Sequence, residues 1–425
     1  MNKFNIIFIL FLFYFLIIIY YERYNTIIGR IKIGYYTHSI RYGGVERVIA
    51  LLINLLSKEN YFDIYLITDR LKSEGEYNIP NNIKRICLSE NKLNIFDVIE
   101  QEKLDIIIYN FYNKRVIQKL NSLNKTKSIF YNHSSFLYWV FKNRFNFNET
   151  PYPEYKNSKY VISLIPLEND YLFKKWGINS ILMDNPNTFE YDSVKPSSLT
   201  NEIIIMIGRI DDPVKRYDLG IRAMSSIIKE IPNCEMKIIS NKHQKFINLI
   251  KNLNLERNVE ITGFQKNIEI YLNNASLHIF PSINECYPMA LVEAKLFGIP
   301  TIICGLDFLS LSKGGTIIIY DDNPDSIAKQ AIIILKNETY RKQLGKEARE
   351  SMKTHKNNLI AKKWIKLLLS VYKGDDKSYI NLNTHNLMTK EESKTILNNQ
   401  LLLLKKRYHQ FNLLSLEKFE SYSFQ

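Results

Sequence analysis

The sequence predicts an α/β protein in which two doubly wound domains with parallel sheets follow one N-terminal transmembrane helix. From Ile31 onward, short runs rich in β-branched and aromatic residues alternate with longer helical patterns. Continuous apolar runs of this length suit strands that are buried on both faces of a parallel sheet. The runs fall into two successive sets, and a segment rich in Asn, Pro and Ser at residues 185–200 separates them as a predicted linker.

The composition is that of a globular protein with a basic surplus. The 425 residues are 46% hydrophobic and 24% charged, which argues against intrinsic disorder and collagen-like sequence. The formal charge of +14 favours anionic partners such as phosphates, nucleotides, acidic lipid or nucleic acid, although a surface rich in solvated lysine explains it as well. The four cysteines form no C-x-x-C pair, so they indicate neither a disulfide framework nor a zinc ribbon.

The first 30 residues are predicted to form a membrane anchor. Residues Ile6–Tyr21 carry no charge, Gly or Pro, and a helix of that length spans roughly 24 Å. The run ends in Tyr-Tyr-Glu-Arg without the small residues of a cleavage site. This favours a signal anchor over a cleaved signal or a buried core helix. Basic residues after the run, among them Arg23 and Arg30, indicate a single-pass membrane protein with its globular part in the cytoplasm.

The two predicted domains cover residues 31–190 and 200–355. The strands expected in the first are Ile31–Thr37, Asp63–Thr68, Asp105–Tyr109, Lys127–Asn132, Tyr160–Ile165 and Ser180–Asp184. The strands expected in the second are Glu202–Gly208, Glu235–Ser240, Val259–Thr262, Leu277–Pro281, Ile299–Cys304 and Thr316–Tyr320. Their alternation with helical patterns predicts βαβ units in both domains.

Two further helices are predicted beyond the second domain. Residues 356–373 contain a closing helix at Asn358–Tyr372, and a tail at 374–425 contains one more helix. Thr389 and Glu392 have the spacing of a capping box, which marks the start of that last helix. Its run Leu401–Phe411 mixes apolar and basic residues, so the helix either lies on a membrane surface or packs as an ordinary terminal helix, and the second is favoured.

A pair of glycines follows the first predicted strand. Gly43 and Gly44 precede a helix whose apolar residues are Val45, Val48, Ile49 and Leu52. Glycines at such a turn let the backbone approach a ligand closely, and the helix N-terminus presents unpaired N–H groups to an anion. The alternative is a plain turn that needs a positive φ, and the pair alone does not decide between them.

A basic loop follows the first strand of the second domain. Arg209 comes at the carboxyl end of that strand, where doubly wound sheets bind ligands, and Lys215 comes just before the next helix. Two cations that converge on one crevice can hold a diphosphate and stabilise its charge as it leaves. The alternative is a solvated basic loop, and Asp211 and Asp212 within it weaken its positive field.

The most specific cluster surrounds two glutamates eight positions apart. Glu285 is in a loop after a predicted strand, and Glu293 is inside the helix that Pro288 begins. Carboxylates accept hydrogen bonds from paired hydroxyls such as those of a sugar or a ribose. The N–H groups at the helix start are predicted to bind an anion, and they belong to Met289, Ala290 and Leu291. The alternative for Glu293 is an exposed helix glutamate.

His133 comes just after a predicted strand of the first domain, within Tyr-Asn-His-Ser-Ser. A histidine at the carboxyl end of a strand can face a cleft between two domains. On its own, the position fits a loop histidine with ordinary hydrogen bonds better.

In this order, the four clusters resemble glycosyltransferase family 4, and the resemblance covers about residues 31–372. The family has the GT-B fold, in which two Rossmann-like domains face each other across a cleft. The strongest match is its E-x7-E motif, with Glu285 and Glu293 as the two carboxylates. The resemblance implies that Glu285 contacts the donor sugar and Glu293 the nucleotide ribose. It also implies that Arg209 and Lys215 hold the diphosphate.

The same resemblance assigns the remaining clusters. Gly43 and Gly44 match the glycine loop near the phosphates and the acceptor, and His133 matches a histidine near the transferred sugar. The family is retaining and generally needs no metal, and the sequence contains no D-x-D motif for a donor-bound metal. The implied catalytic set is therefore Glu285, His133, Arg209 and Lys215, with no cofactor.

The leading hypothesis is a membrane-anchored, retaining glycosyltransferase that uses a sugar nucleotide. Its partners are a nucleoside-diphosphate-sugar donor, a glycan or lipid-linked acceptor, and the membrane through residues 6–21. A catalytically inactive relative that serves as a membrane scaffold is the alternative. Nucleic-acid binding is not expected, because no arginine-rich block or aromatic-basic motif accompanies the net charge.

Overall fold

A computed structural model describes residues 30–41, 43–142, 152–173, 176–375 and 389–412. The predicted membrane span at residues 6–21 lies outside these ranges, and so does Tyr42. Within them, no helix combines the length and the apolar character needed to cross a bilayer.

The first sheet has seven strands in the order β3-β2-β1-β4-β5-β6-β7. Parallel pairing is recorded for β1 with β2 and β4, for β2 with β3, for β4 with β5 and for β6 with β7. Its central strand β1 is buried over most of its length, as the apolar run predicts. The strands are β1 (Ile31–Thr37), β2 (Phe62–Thr68), β3 (Lys84–Cys87), β4 (Ile106–Tyr109), β5 (Lys127–Tyr131), β6 (Tyr160–Ser163) and β7 (Ser180–Leu182).

The second sheet has six strands in the order β10-β9-β8-β11-β12-β13, and all its pairings are parallel. The strand order steps outward from β8 in both directions, so the carboxyl ends of β8 and β11 are neighbours. Ligands bind at such a switch point in doubly wound sheets. The strands are β8 (Ile203–Ile207), β9 (Glu235–Ile239), β10 (Val259–Ile261), β11 (Leu277–Phe280), β12 (Thr301–Cys304) and β13 (Thr316–Ile319).

Helices follow most strands, as βαβ units require. Those before the second sheet are α1 (Gly44–Leu56), α2 (Leu88–Asn91), α3 (Ile95–Glu102), α4 (Lys114–Asn121), α5 (Phe136–Lys142) and α6 (Tyr152–Tyr155). Those from β8 onward are α7 (Tyr217–Glu230), α8 (Gln244–Asn252), α9 (Glu269–Asn274), α10 (Met289–Leu296), α11 (Pro324–Lys336), α12 (Glu338–Ser351), α13 (Asn357–Lys373) and α14 (Lys390–Asn412).

Helix α1 shows how the sequence pattern becomes packing. Its buried residues include Val48, Ile49, Leu52 and Ile53, which recur at helical spacing and face the sheet. Burial of one such side chain stabilises the fold by about 1.5–3 kcal/mol. The predicted helix register is therefore confirmed.

Strand β3 is the one strand of the described residues that the sequence pattern does not predict. Its residues Lys84–Cys87 include two basic side chains and are exposed or half-buried up to Cys87, because β3 is the edge strand of its sheet. An edge strand buries less apolar surface and takes charged residues more readily than a central one, so its hydrophobic signal is weak.

The described residues divide by packing into two compact units. The first contains the described chain up to Phe130 together with Trp364–Asp375, and the second contains Tyr131–Lys363 and α14. Residues 185–200 form no helix or strand and belong to the second unit. This segment connects β7 of the first sheet to β8 of the second sheet. The domain boundaries at 190 and 200 stay a prediction.

Helix α14 begins with the predicted capping box. The N–H of Thr389 donates to Glu392 Oε2 at 2.8 Å, and the N–H of Glu392 donates to Thr389 Oγ1 at 3.2 Å. Leu403 and Leu404 are buried against the second unit. The helix therefore packs as a terminal helix of this unit, which was the favoured expectation.

Candidate functional site

The loop after β8 makes a tight turn and contacts the loop after β11. The side chain of Asp212 accepts a hydrogen bond from the N–H of Val214 and caps the short helix Pro213–Lys215. Arg216 then adopts a left-handed conformation with φ of 49°. The N–H of Ile283 donates to the carbonyl of Val214 at 2.9 Å, which ties this loop to the loop after β11.

Lys215 and Glu285 meet where these two loops join. Lys215 Nζ donates to Glu285 Oε1 at 2.5 Å, and Ser282 Oγ donates to the same oxygen at 2.7 Å. Both side chains are mostly buried, with 21% and 11% of their surface exposed. A charge-assisted hydrogen bond in such a place is stronger than a surface ion pair. The structure thus brings together two of the residues that the sequence predicts for the site.

Arg209 stands at the open side of the same loop. Its side chain is 69% exposed, and its guanidinium donates to Asp212 Oδ2 at 3.2 Å. An exposed arginine with one weak acidic partner can turn toward an incoming anion at little cost. Arg209 therefore has the freedom that a phosphate ligand needs.

Helix α10 begins at Met289, four residues after Glu285. No acceptor within the described chain is recorded for the N–H groups of Met289 and Ala290. The N–H of Leu291 donates to the carbonyl of Pro288 at 3.1 Å. The expectation of three available N–H groups is therefore wrong for Leu291, because the first turn of the helix is tight and already uses that donor.

Glu293 is buried inside α10, with 1% of its surface exposed. Its Oε1 accepts a hydrogen bond from Thr188 Oγ1 at 3.0 Å. Because Thr188 is exposed, this carboxylate lies just below the surface of the unit. The alternative of an exposed helix glutamate is excluded.

His133 follows β5 and belongs by packing to the second unit. Burial lowers the pKa of its imidazole to about 3, so the ring is neutral at physiological pH. Two residues later, Ser135 Oγ donates to Asn284 Oδ1 at 2.6 Å. The segment that carries His133 therefore contacts the loop that carries Glu285.

The comparisons with known proteins agree with this geometry. Residues 187–351 match the family model described as glycosyl transferases group 1. This part of the chain is therefore similar to the group 1 glycosyltransferases. It contains Arg209, Lys215, Glu285 and Glu293. The prediction that the chain is a glycosyltransferase is thereby confirmed.

Curated relatives extend the similarity over most of the chain. An uncharacterized glycosyltransferase of Haemophilus influenzae is 23% identical over 353 residues, 78% of this chain and 98% of the relative. Another relative is the GalNAc-α-(1→4)-GalNAc-α-(1→3)-diNAcBac-PP-undecaprenol α-1,4-N-acetyl-D-galactosaminyltransferase of Campylobacter jejuni. It is 21% identical over 370 residues, 80% of this chain and 99% of the relative.

A solved structure shows the same fold. The crystal structure of Anabaena Alr3699/HepE in complex with UDP and glucose has a TM-score of 0.63 and 14% sequence identity. The match covers 80% of this chain and 100% of that chain. The predicted GT-B architecture of two parallel-sheet, Rossmann-like domains is confirmed by such likenesses.

The glycine pair lies in the first unit, at the start of α1. Gly43 has an extended backbone with φ of −134°, and no positive φ is recorded for either glycine. The alternative of a turn that needs a positive φ is therefore excluded. A Cβ at Gly43 would overlap the carboxylate of Glu46, whereas a Cβ at Gly44 would meet nothing within 4 Å. Gly44 thus has open space beside it.

Three site contacts were missed by the sequence analysis. Ser282 and Thr188 donate to the two glutamates, and Asn284 accepts from Ser135. Ser282 and Asn284 both come shortly before Glu285 in the sequence. Their polar side chains could therefore have been predicted to contact the site. Thr188 is 105 positions from Glu293 and gave none.

No group of three or more His, Cys, Asp or Glu side chains that could hold a metal ion exists among the residues the structure describes. Asp212 caps the short helix Pro213–Lys215 and pairs with Arg209, Asp322 pairs with Arg216, and Asp321 accepts a hydrogen bond from Ser326 Oγ. The cations and amide groups around Glu285 are the features that suit an anionic ligand here.

Proposed function

We propose that this chain is a membrane-anchored, retaining glycosyltransferase of family 4 that moves a hexose-type sugar from a nucleoside-diphosphate sugar to a glycan or lipid-linked acceptor. The observation that carries the proposal is the Lys215–Glu285 pair at the switch point of the second sheet, with the exposed cation of Arg209 on the same loop as Lys215. It combines a cation for a diphosphate with a carboxylate for a sugar. No observation favours the alternative of an inactive scaffold.

The diphosphate would bind between Arg209 and Lys215. The N–H groups of Met289 and Ala290 would add hydrogen bonds and the positive end of the α10 dipole. As the bond to the anomeric carbon breaks, negative charge builds on the leaving phosphate. Donors that already point at this charge lower the barrier without further rearrangement.

The arrival of the diphosphate would separate the Lys215–Glu285 pair. Lys215 can turn from Glu285 to a phosphate oxygen, while Ser282 keeps the carboxylate oriented through its own hydrogen bond. The released oxygen of Glu285 can then accept from sugar hydroxyls. Glu293, held by Thr188, would accept from the ribose hydroxyls of the nucleotide.

His133 would act as a neutral hydrogen-bonding group near the sugar. Its pKa of about 3 excludes an imidazolium that stabilises phosphate charge at neutral pH. A neutral ring can still donate from one nitrogen and accept at the other. This role fits a contact to a sugar hydroxyl.

A covalent intermediate is not part of the proposal. Burial, with the charges of Glu168 and Glu285, raises the pKa of the Cys286 thiol well above its usual range, so the thiolate needed for attack is absent near pH 7. Glu285 keeps the hydrogen bond from Ser282 and is assigned to the sugar hydroxyls, not to attack on the anomeric carbon. Retention would then follow from attack of the acceptor hydroxyl on the face that the diphosphate leaves.

The acceptor would bind to the first unit. A cavity of about 500 Å³ opens at the carboxyl edge of its sheet and is lined by Tyr36, Asp69, Ser89, Lys92, Asn94 and Phe96, among others. Tyr36 donates to both oxygens of Asp69, at 3.0 and 2.9 Å, and its ring stacks on Tyr109. An aromatic face next to a carboxylate suits a sugar ring, which is apolar on its faces and hydroxylated at its edge. Gly44, which has open space beside it, would let the acceptor or phosphates approach the backbone of the predicted Gly43–Gly44 loop.

Membrane attachment rests on the sequence. The uncharged run Ile6–Tyr21 would anchor the chain once in the membrane, with the catalytic part in the cytoplasm. The Campylobacter jejuni relative is named for an undecaprenol-linked acceptor, and a membrane anchor would hold the active site near a lipid-linked substrate of that kind. Neither a metal nor nucleic acid is required.

One experiment tests the proposal as a whole. The full chain in detergent is titrated with UDP, GDP and their common sugars, and transfer is then measured to short lipid-linked glycans with and without EDTA. We expect one nucleotide to raise the melting temperature, transfer that survives EDTA, and a product with the anomeric configuration of the donor by NMR. Inversion, a metal requirement or a lack of any nucleotide response would overturn the corresponding part.

A further inference from the structure

Arg407 of α14 is almost completely buried, with a side chain that is 1% exposed. It lies beyond the residues that match the glycosyltransferase model. Its Nε and one terminal nitrogen bind the two oxygens of Asp322 at 3.0 and 2.9 Å. The guanidinium also donates to the carbonyls of Ile283, at 3.1 Å, and Cys304, at 3.2 Å.

These acceptors belong to three loops at one edge of the second sheet. Ile283 is two positions before Glu285, Cys304 ends β12, and Asp322 follows β13. Asp322 also pairs with Arg216, the neighbour of Lys215, at 3.5 Å. One guanidinium therefore connects the loop of Glu285 with the loop of Lys215 through a shared carboxylate.

A second contact, about two turns earlier, fixes the same helix. Gln400 Nε2 donates to the carbonyl of Gly305 at 2.6 Å and to Asp307 Oδ1 at 2.5 Å. Gly305 has a φ of 60°, and a Cβ added there would overlap Leu403 Cδ2. The helix thus lies directly on the loop after β12, and only glycine allows this approach.

The helix has other neighbours on the same unit. It packs against α5 and against the segment Glu168–Leu172. The N–H of Phe136, at the start of α5, donates to Glu168, and the adjacent Ser135 binds Asn284. Helix α14 therefore contacts two groups of elements. One is the loops after β11, β12 and β13, and the other is α5 with the segment Glu168–Leu172.

We propose that α14 is an integral part of the donor site and that Arg407 is a positioning residue for Glu285. This inference rests on the proposed function, because it assigns Arg407 to the site where that function is carried out. A buried guanidinium with a bidentate carboxylate and two carbonyls fixes geometry as well as charge. Without it, the Ile283 carbonyl and Asp322 lose donors that the protein alone supplies at that depth.

The first test compares three full-length variants. In Arg407→Ala the loop of Glu285 loses its support, and we expect kcat to fall about 10- to 100-fold, since small misplacements of reacting groups have effects of this size. Arg407→Lys keeps the charge but cannot form the same set of bonds, so it should remain impaired. Lys406→Ala, at the exposed neighbouring position, is the matched control and should equal the wild type.

The second test changes the packing of α14 against the loop after β12 and leaves every charged residue in place. Gly305→Ala should displace α14 and lower kcat, and the double variant Gly305→Ala with Leu403→Ala should recover most of it. Gly374→Ala is the control, because Gly374 has a similar φ of 69° but nothing within 4 Å of a Cβ. This control separates the backbone strain of the alanine from the displaced helix.

Hydrogen exchange provides a readout that does not need activity. Exchange at Ile283–Tyr287 should be faster in Arg407→Ala and in Gly305→Ala than in the wild type, at temperatures where all variants are folded. Wild-type kcat and wild-type exchange in both folded variants would overturn the inference. Failure of the wild type to transfer any sugar would instead overturn the proposed function, and the exchange result would still decide whether α14 orders the loop.

Discussion

Lys215 Nζ lies 2.5 Å from Glu285 Oε1. The cation predicted to hold a diphosphate and the carboxylate predicted to orient a sugar thus neutralise each other. Each group escapes the cost of a lone buried charge. A donor that carries both a diphosphate and a hydroxylated ring supplies partners for both at once, whereas a free sugar supplies only one.

Removal of Glu285 should therefore separate binding from transfer. In Glu285→Ala, Lys215 is released to a diphosphate, so we expect nucleoside-diphosphate affinity to be retained or increased. Transfer should fall by about 100- to 1,000-fold, the effect of losing one preorganised polar contact in a transition state. Calorimetry and initial rates on the same preparation measure both quantities. Transfer at the wild-type rate would refute the assignment.

Glu293 should behave differently, because it is predicted to contact the nucleotide. Glu293→Gln keeps the shape and the hydrogen bond from Thr188 but loses the charge. We expect weaker nucleoside-diphosphate binding together with slower transfer. Thr188→Val is the companion variant and should have a smaller effect on the same affinity. Unchanged affinity in folded Glu293→Gln would exclude a ribose contact.

Arg209 should contribute to function and almost nothing to stability. Its side chain is 69% exposed with one partner, so Arg209→Ala should change the free energy of unfolding by about 0.5 kcal/mol or less. Diphosphate affinity should fall, and the difference from the wild type should shrink as salt rises. Arg222→Ala, at another exposed arginine of this unit, controls for net charge. Equal losses in both variants would show a nonspecific charge effect.

Glu168 should make stability depend on pH. Burial raises the pKa of its carboxyl from 4.5 to about 8, so the folded state holds an extra proton between these values. Stability from this group is fully present below pH 4.5 and is lost as pH rises through about 8, by at most about 1.4 kcal/mol per pH unit. Urea unfolding of the wild type and of Glu168→Gln at pH 5 and pH 8 measures this change in the free energy of unfolding.

The comparison with Glu168→Gln isolates this one group. His133 and His278 have pKa values lowered to about 3, and they favour the folded state as pH rises toward 6.5. Both histidines remain in both proteins, so their contribution cancels in the difference. The stability of the wild type relative to Glu168→Gln should therefore fall from pH 5 to pH 8. A constant difference would show that Glu168 is ionised throughout.

Asp69 should affect the acceptor alone. Asp69→Asn weakens the acceptor groups of the cavity but keeps its shape, so KM for the acceptor should rise severalfold with little change in KM for the donor. Ser73→Ala, in the exposed loop that follows, is the control. Kinetics with each substrate varied in turn give both constants. A rise in KM for the donor alone would contradict an acceptor role for this cavity.

Most of the fold was accessible from the sequence because its strands are short and almost wholly apolar. The run Ile31–Thr37 was predicted with its observed bounds, and the predicted strand Glu202–Gly208 is one residue shorter at each end, at Ile203–Ile207. Among the strands of the described residues, β3 alone was not predicted, because basic residues at the edge of the sheet interrupt its apolar pattern.

The site was accessible in part, for a related reason. Lys215 and Glu285 each follow a strand, and β8 and β11 are neighbours, so the positions alone brought the two loops together. The donors to these residues depend on side-chain packing that no local pattern records. Arg407 is 124 positions from Ile283, and nothing in the run Leu401–Phe411 reveals which basic residue points inward.

During protein synthesis, Asp322 is made before Arg407, its partner in the ion pair. The two residues are 85 positions apart, and a ribosome that adds about 5–20 residues per second needs roughly 4 to 17 seconds to cover that distance. During this interval the nascent chain already contains every strand of both sheets and each predicted donor-site residue, while the guanidinium that closes their edge has not yet been made. Translation speed between Asp322 and Arg407 therefore sets how long this edge stays without the guanidinium and accessible to chaperones and proteases.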